Sequence, residues 1–173
     1  HGQSGMITTQ SLTGVWGTSA TTVYVVGSGG TLLRYYFYNA PTTQWATQAI
    51  SGTVGTTYLS SMHGSAISPA RIWAVGSTGA IVLYDGSTGL WSTHAQSGTN
   101  TGGLTTSFLS KVYTVNSTSA WISSSSNVVY RYDGTNWVTQ ALPTRNATTA
   151  IWANNATDAW AVSSGDVVLR YQP

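Results

Sequence analysis

Four stretches of this chain repeat one another, and that self-similarity limits the fold more than any other feature of the sequence. They begin at Leu12 (LTGVWGTSATTVYVVGSGGTLLRYY), Leu59 (LSSMHGSAISPARIWAVGSTGAIVLYDG), Leu109 (LSKVYTVNSTSAWISSSSNVVYRYDG) and Thr149 (TAIWANNATDAWAVSSGDVVLRY). Three sets of positions hold the register. The first is Trp16, His63, Tyr113 and Trp152; the second is Tyr24, Trp73, Trp121 and Trp160; the third is Tyr35, Tyr84, Tyr132 and Tyr171. The third set is spaced 49, 48 and 39 residues apart. Repeats of roughly 40–50 residues are the length of one four-stranded blade in propeller folds.

Each repeat divides into short strands. VYVVG and IWAVG are β-branched and aromatic runs that end in glycine, and TLLRYY and AIVLYDG follow a Gly-rich turn. A further strand opens at Trp45, Trp91 and Trp137. Long runs with a 3.6-residue period are absent. The strands are apolar on both sides, as expected where every sheet is stacked between two others. The sequence therefore predicts an all-β, four-bladed β-propeller with four antiparallel strands per blade. It predicts a single domain, with blades at about 12–58, 59–108, 109–148 and 149–173.

The fourth repeat stops at VVLRYQP, without the strand that opens at a Trp. An orphan segment stands ahead of the first repeat, with Met6 near the position of Trp137. Met6, Ile7, Thr8, Thr9 and Gln10, within residues 5–11, are expected to supply the missing outer strand and complete the last blade. Within one chain this closes the ring, and effective concentration favours that route. Between chains it is strand addition, which propagates as a filament if the contact does not close.

Charge excludes several functions. Only 6% of residues are charged, against roughly 25% in an average domain. No Glu occurs, and the acids are Asp85, Asp133, Asp158 and Asp166. Six scattered basic residues do not form the clustered face that a nucleic-acid backbone requires. A nearly neutral surface lacks self-repulsion and favours association. The absence of cysteine removes disulfides and thiol chemistry. No apolar run is long enough to span a membrane. A hydroxyl-rich, charge-poor surface fits a secreted, extracellular or cell-surface protein.

The pattern of VWG, then IWAVG, then a glycine turn and LYDG resembles the secreted bacterial propellers built from VWAVG-type repeats, which are loosely kelch-like or WD40-like. The resemblance spans essentially the whole chain. It implies the blade and no particular function. YDGTNW is also similar to the Asp-box of sialidases, but Asp133 and Gly134 are adjacent here, where the box separates them by one residue. That box is a turn motif and implies no activity.

No catalytic constellation emerges. The four Asp residues fall in turn-like places, with no carboxylate pair set across a bond. His1, His63 and His94 are candidate metal ligands only if they converge, and His63 occupies an aromatic repeat position. No G-x-S-x-G elbow is present. The expectation is no enzyme, no metal and no cofactor. Tyr36, Phe37 and Tyr38 extend the first blade beyond the other repeats and form a candidate contact patch for glycan or another subunit. Asn116, Asn146 and Asn155 head N-x-[ST] sequons, candidate N-glycosylation sites. Two functions fit: a structural, self-assembling or protein-interaction subunit of a cell-surface or filamentous assembly, or a glycan-binding lectin. The expected partners are copies of the chain or surface proteins, with glycans for the lectin.

Overall fold

A computed structural model describes residues 7–36, 45–67, 70–143 and 145–172. The first sheet runs β1 (Leu12–Ser19), β2 (Thr22–Gly27), β3 (Leu32–Tyr36) and β4 (Trp45–Thr47), in that order. The second adds β5 (Ile50–Ser51) to β6 (Leu59–Ser65), β7 (Arg71–Gly76), β8 (Ile81–Asp85) and β9 (Leu90–Thr93). The third is β10 (Leu109–Asn116), β11 (Ser119–Ser124), β12 (Val128–Tyr132) and β13 (Trp137–Ala141). The fourth is β14 (Thr148–Asn155), β15 (Asp158–Ser163) and β16 (Val167–Tyr171). All neighbours pair antiparallel except β5, which runs parallel to β9 and covers its outer edge. This is the all-β, four-bladed propeller plan that the repeats predict.

Tight turns fix each blade. Between β7 and β8, Gly79 has φ 67°. A Cβ at Gly79 would stand 1.8 Å from the Thr105 carbonyl oxygen, so only glycine fits there.

The sheets are arrayed side by side through their first strands, with β1 against β6, β6 against β10 and β10 against β14. A hydroxyl at the second position of β1, β6 and β10 ties each of these sheets to the next. Thr13 Oγ1 donates to the Leu59 carbonyl, Ser60 Oγ to the Leu109 carbonyl at 2.6 Å, and Ser110 Oγ to the Thr148 carbonyl at 3.1 Å. The core is divided accordingly. One apolar cluster lies between sheets one and two, around Tyr24, Met62, Ile72 and Trp91. A second lies between sheets two and three, around Trp73, Ile122 and Trp137. The third, around Trp121, Ala159 and Ala161, joins sheets three and four.

The expected closing strand is the point of departure. Residues 7–11 form no strand, and among the described residues β16 pairs only with β15. The chain at Ser11 instead enters the first sheet, where its carbonyl accepts from the Ser28 N–H at 2.9 Å. Ile7, Thr8, Thr9 and Gln10 therefore do not complete the fourth sheet of their own chain, and Met6 lies outside the described residues. The entry to β1 holds this segment, as the equivalent bonds from Ser77 to Tyr58 and from Ser125 to Phe108 hold the other entries.

Candidate interaction surface

Each interface between sheets is built on one aromatic side chain of the second strand. Between sheets one and two, Tyr24 lies 5.6 Å from Tyr84 and 5.4 Å from Trp91, ring centre to ring centre. Between sheets two and three, Trp73 lies 4.9 Å from both Tyr132 and Trp137, edge to face. Between sheets three and four, Trp121 meets Tyr171 at 5.0 Å, and no outer-strand Trp follows among the described residues. Alternation explains the arrangement. A strand presents successive side chains to opposite faces, so one sheet offers its aromatic forward and the Tyr–Trp pair of the next receives it.

The fourth sheet repeats the forward face, and among the described residues no further sheet packs on it. Tyr24, Trp73 and Trp121 are 1%, 0% and 0% exposed, whereas Trp160, at the same register, is 38% exposed. Trp152, Val162 and Val168 are exposed beside it, and the Arg170 guanidinium lies 5.0 Å from the Trp160 ring centre. The Arg170 Nε–Asp158 Oδ1 ion pair, 2.9 Å long, borders this face and holds the Asp158 carboxyl below its usual range. Thr149 Oγ1 donates to the Val162 carbonyl at 3.4 Å within its own sheet.

The backward face of the first sheet is its counterpart. Leu12 is 49% exposed where Leu59 and Leu109 are 0%. Val15 is 66% exposed where Met62 and Val112 are 5%. Tyr35 and Trp45 stand 5.3 Å apart, as do Tyr84 and Trp91, and Tyr132 and Trp137. Val25 and Leu33 on the same side are already buried, so the open part is the inner edge together with the Tyr35–Trp45 pair.

An aromatic row runs along the first strands. Trp16, His63, Tyr113 and Trp152 follow one another at 6.2, 4.6 and 6.2 Å. His63 Nδ1 accepts from the Thr114 N–H at 3.0 Å, and burial lowers the pKa of its imidazole. His94 sits edge-on to Trp73 at 5.3 Å; burial, helped by the charge of Arg71, depresses its pKa to about 4. Both are neutral packing rings at neutral pH. No group of three metal-ligating side chains occurs among the described residues.

The outer edge of β16 has no strand partner among the described residues. A cavity of about 110 Å³ opens there, lined by Trp121, Val129, Leu142, Leu169 and Tyr171 among others. In sheets two and three, the ring of Trp91 or Trp137 from the outer strand fills the comparable place.

The other sequence candidates do not come together. Tyr36 is partly exposed at the end of β3 with the Arg34 guanidinium 4.4 Å from its ring centre; Phe37 and Tyr38 lie outside the described residues. Asn116 and Asn155 are exposed, and each side-chain oxygen accepts from the N–H and hydroxyl of the Thr two residues on. Asn146 is exposed, but Thr148 of its sequon is buried and bonded to Ser124. Asp85 and Asp133 close turns through Ser87 and through the N–H groups of Asn136 and Thr135; these bonds lower both carboxyl pKa values. The hydroxyl series Thr13, Ser60, Ser110 and Thr149 was not singled out from sequence. Its signal is the small hydroxyl residue that follows the first residue of each inner strand.

The fold is that of the β-propellers. Solved propellers superimpose on nearly all of the chain. Sqt1 from Chaetomium thermophilum matches with TM-score 0.73 at 17% identity, covering 94% of this chain and 44% of Sqt1. The RRP9 WD40 repeats match with TM-score 0.68 at 8% identity, covering 95% of this chain and 52% of theirs. YCF48 from Cyanidioschyzon merolae matches with TM-score 0.65 at 13% identity, covering 95% and 52%. The chain thus spans about half the length of the propellers it resembles. At such identities the likeness defines the fold alone. No protein-family model matches the sequence, and no curated protein matches it.

Proposed function

We propose that this chain is a non-catalytic propeller subunit that assembles with copies of itself at a cell exterior, in the manner of the secreted bacterial VWAVG-type propellers it resembles. The observation that carries this reading is the outer edge of β16, unpaired among the described residues, beside an apolar cavity of about 110 Å³. An unpaired strand edge is a template for strand addition. Residues 5–11, of which 7–11 form no strand in their own chain, are the donor strand for a neighbour. Scarce charge favours the association, and low charge with abundant hydroxyls supports the exterior location. Light scattering on the 173-residue chain tests the reading. Multi-chain particles are expected, and deletion of residues 1–11 reduces them to single chains. A single-chain particle at high concentration overturns it.

Glycan binding is the second reading. A polar cleft of about 270 Å³ between sheets one and two, lined by Thr18, Thr22, Tyr24, Arg34 and Tyr84 among others, favours it. Aromatic rings and hydroxyl partners are the groups that hold a sugar. A glycan array with no signal removes this reading.

A further inference from the structure

We infer that a second copy of this chain docks its first sheet on the open face of the fourth, and that two such contacts close a ring of eight blades from two chains. The inference rests on the self-assembly reading and names the surface that performs it.

The occupant follows from continuity with the interfaces already present. The forward faces of sheets one, two and three are each covered by the backward face of the next sheet. Among the described residues, the fourth forward face and the open part of the first backward face, its inner edge with the Tyr35–Trp45 pair, are the members of that series left over, and their groups correspond position by position. Trp160 stands where Trp73 meets Tyr132 and Trp137; Tyr35 and Trp45 are the corresponding receivers. Thr149 stands where the single Ser60 hydroxyl proton is shared between the Val75 carbonyl of its own sheet and, at the shorter distance, the Leu109 carbonyl across the interface. It makes the first bond and lacks the second, for which the Leu12 carbonyl is the matching acceptor. Asp166, at φ 62°, holds the place of Gly30 and Gly79. The N–H groups of those glycines donate to Thr57 at 2.8 Å and to Ser107 at 2.9 Å; the matching carbonyl is that of Gln10. Trp152 ends the aromatic row at the point where a following Trp16 would continue it.

Four sheets from each of two copies make eight blades. The chain overlays about half of each solved propeller it matches, an arc with which a ring of two copies is compatible. The contact is head to tail, and in a two-chain ring it is made twice. The second contact forms within an already joined pair and strengthens the first. The same geometry brings residues 7–11 of each copy towards the β16 edge of the other, which is unpaired among the described residues. In every sheet-to-sheet step of the chain, the outer strand of one sheet comes before the inner strand of the next.

Sedimentation velocity on the full chain tests this, with two surface substitutions that leave the packed interfaces alone. Wild type is expected as a two-chain particle. Trp160→Asp on the forward face and Val15→Asp on the backward face are each expected to weaken it by about a hundredfold, with circular dichroism unchanged. An equimolar mixture of the two variants retains one undamaged contact, and two-chain particles reappear. Val168→Lys and Thr149→Val give the same weakening in smaller degree, and serve if Trp160→Asp misfolds. Assembly untouched by these substitutions overturns the inference while leaving the self-assembly reading in place. Loss that the mixture does not restore also overturns it, because the fourth face would then pair with itself. A single-chain wild type overturns both, and filaments of indefinite length overturn ring closure.

Discussion

The second and fourth sheets carry the same indole at the same register and give it opposite surroundings. Trp73 is sealed between sheets by Tyr132, Trp137 and His94, whereas Trp160 has Arg170 beside it and solvent above. The two strands differ little: RIWAVG in β7 and DAWAVS in β15. A side chain becomes core in this architecture only when the next sheet arrives. Burying an aromatic surface is worth several kcal/mol, and a blade without a neighbour forgoes it.

Substitutions at paired positions measure that difference. Trp73→Ala is expected to cost about 3–5 kcal/mol, a large fraction of the stability of a typical domain. Trp160→Ala in the single-chain state is expected to cost less than about 1 kcal/mol. Urea titration of both variants checks this, and equal losses would erase the distinction between sealed and open faces.

A pH titration probes the sealed interface alone. The unfolded chain protonates His94 near its ordinary value of 6.5, whereas the folded chain does so only near 4. The contribution is therefore present above pH 6.5 and is lost as pH drops from 6.5 towards 4, by about 3 kcal/mol at most and less for the ring's partial exposure. His94→Phe flattens that decline in urea unfolding followed across the range. An unchanged decline in the variant would assign the loss to other groups, with His63 the next to replace.

The hydroxyl ladder gives the smallest contrast. Ser60→Ala removes a buried donor bonded to two carbonyls and is expected to cost about 1–2 kcal/mol. Thr149→Val at the open end is expected to stay within about 0.5 kcal/mol in the single-chain state. Thermal melts at low concentration resolve the two.

Much of this was legible in the sequence, for a physical reason. Blade-to-blade packing repeats, so the residues that perform it repeat as well. Trp73, Trp121, Tyr84 and Tyr132 declared themselves through spacing, and His63 through sharing a position with Trp16 and Tyr113. The strand at Ile50–Ser51 did not, because two residues carry no period and its parallel pairing is fixed by β9. The open face was also hidden. Trp160 reads like Trp73, and periodicity records what a sheet offers rather than whether anything receives it. Residues 7–10 carry a strand-like pattern, but they form no strand and lead through Ser11 into β1.

Crosslinking decides between closure within one chain and closure between two. The chain has no cysteine, so engineered thiols stand alone. Thr13→Cys with Leu59→Cys reports a neighbouring pair already present within the chain. Thr149→Cys with Leu12→Cys reports the pair left open. With a short thiol-to-thiol crosslinker and denaturing gels, the first variant is expected to link within one chain and the second to give a two-chain band. A second variant that links only within its own chain, running as a compact single chain like the first, would mean that the fourth sheet closes on its own first sheet, and would contradict the account.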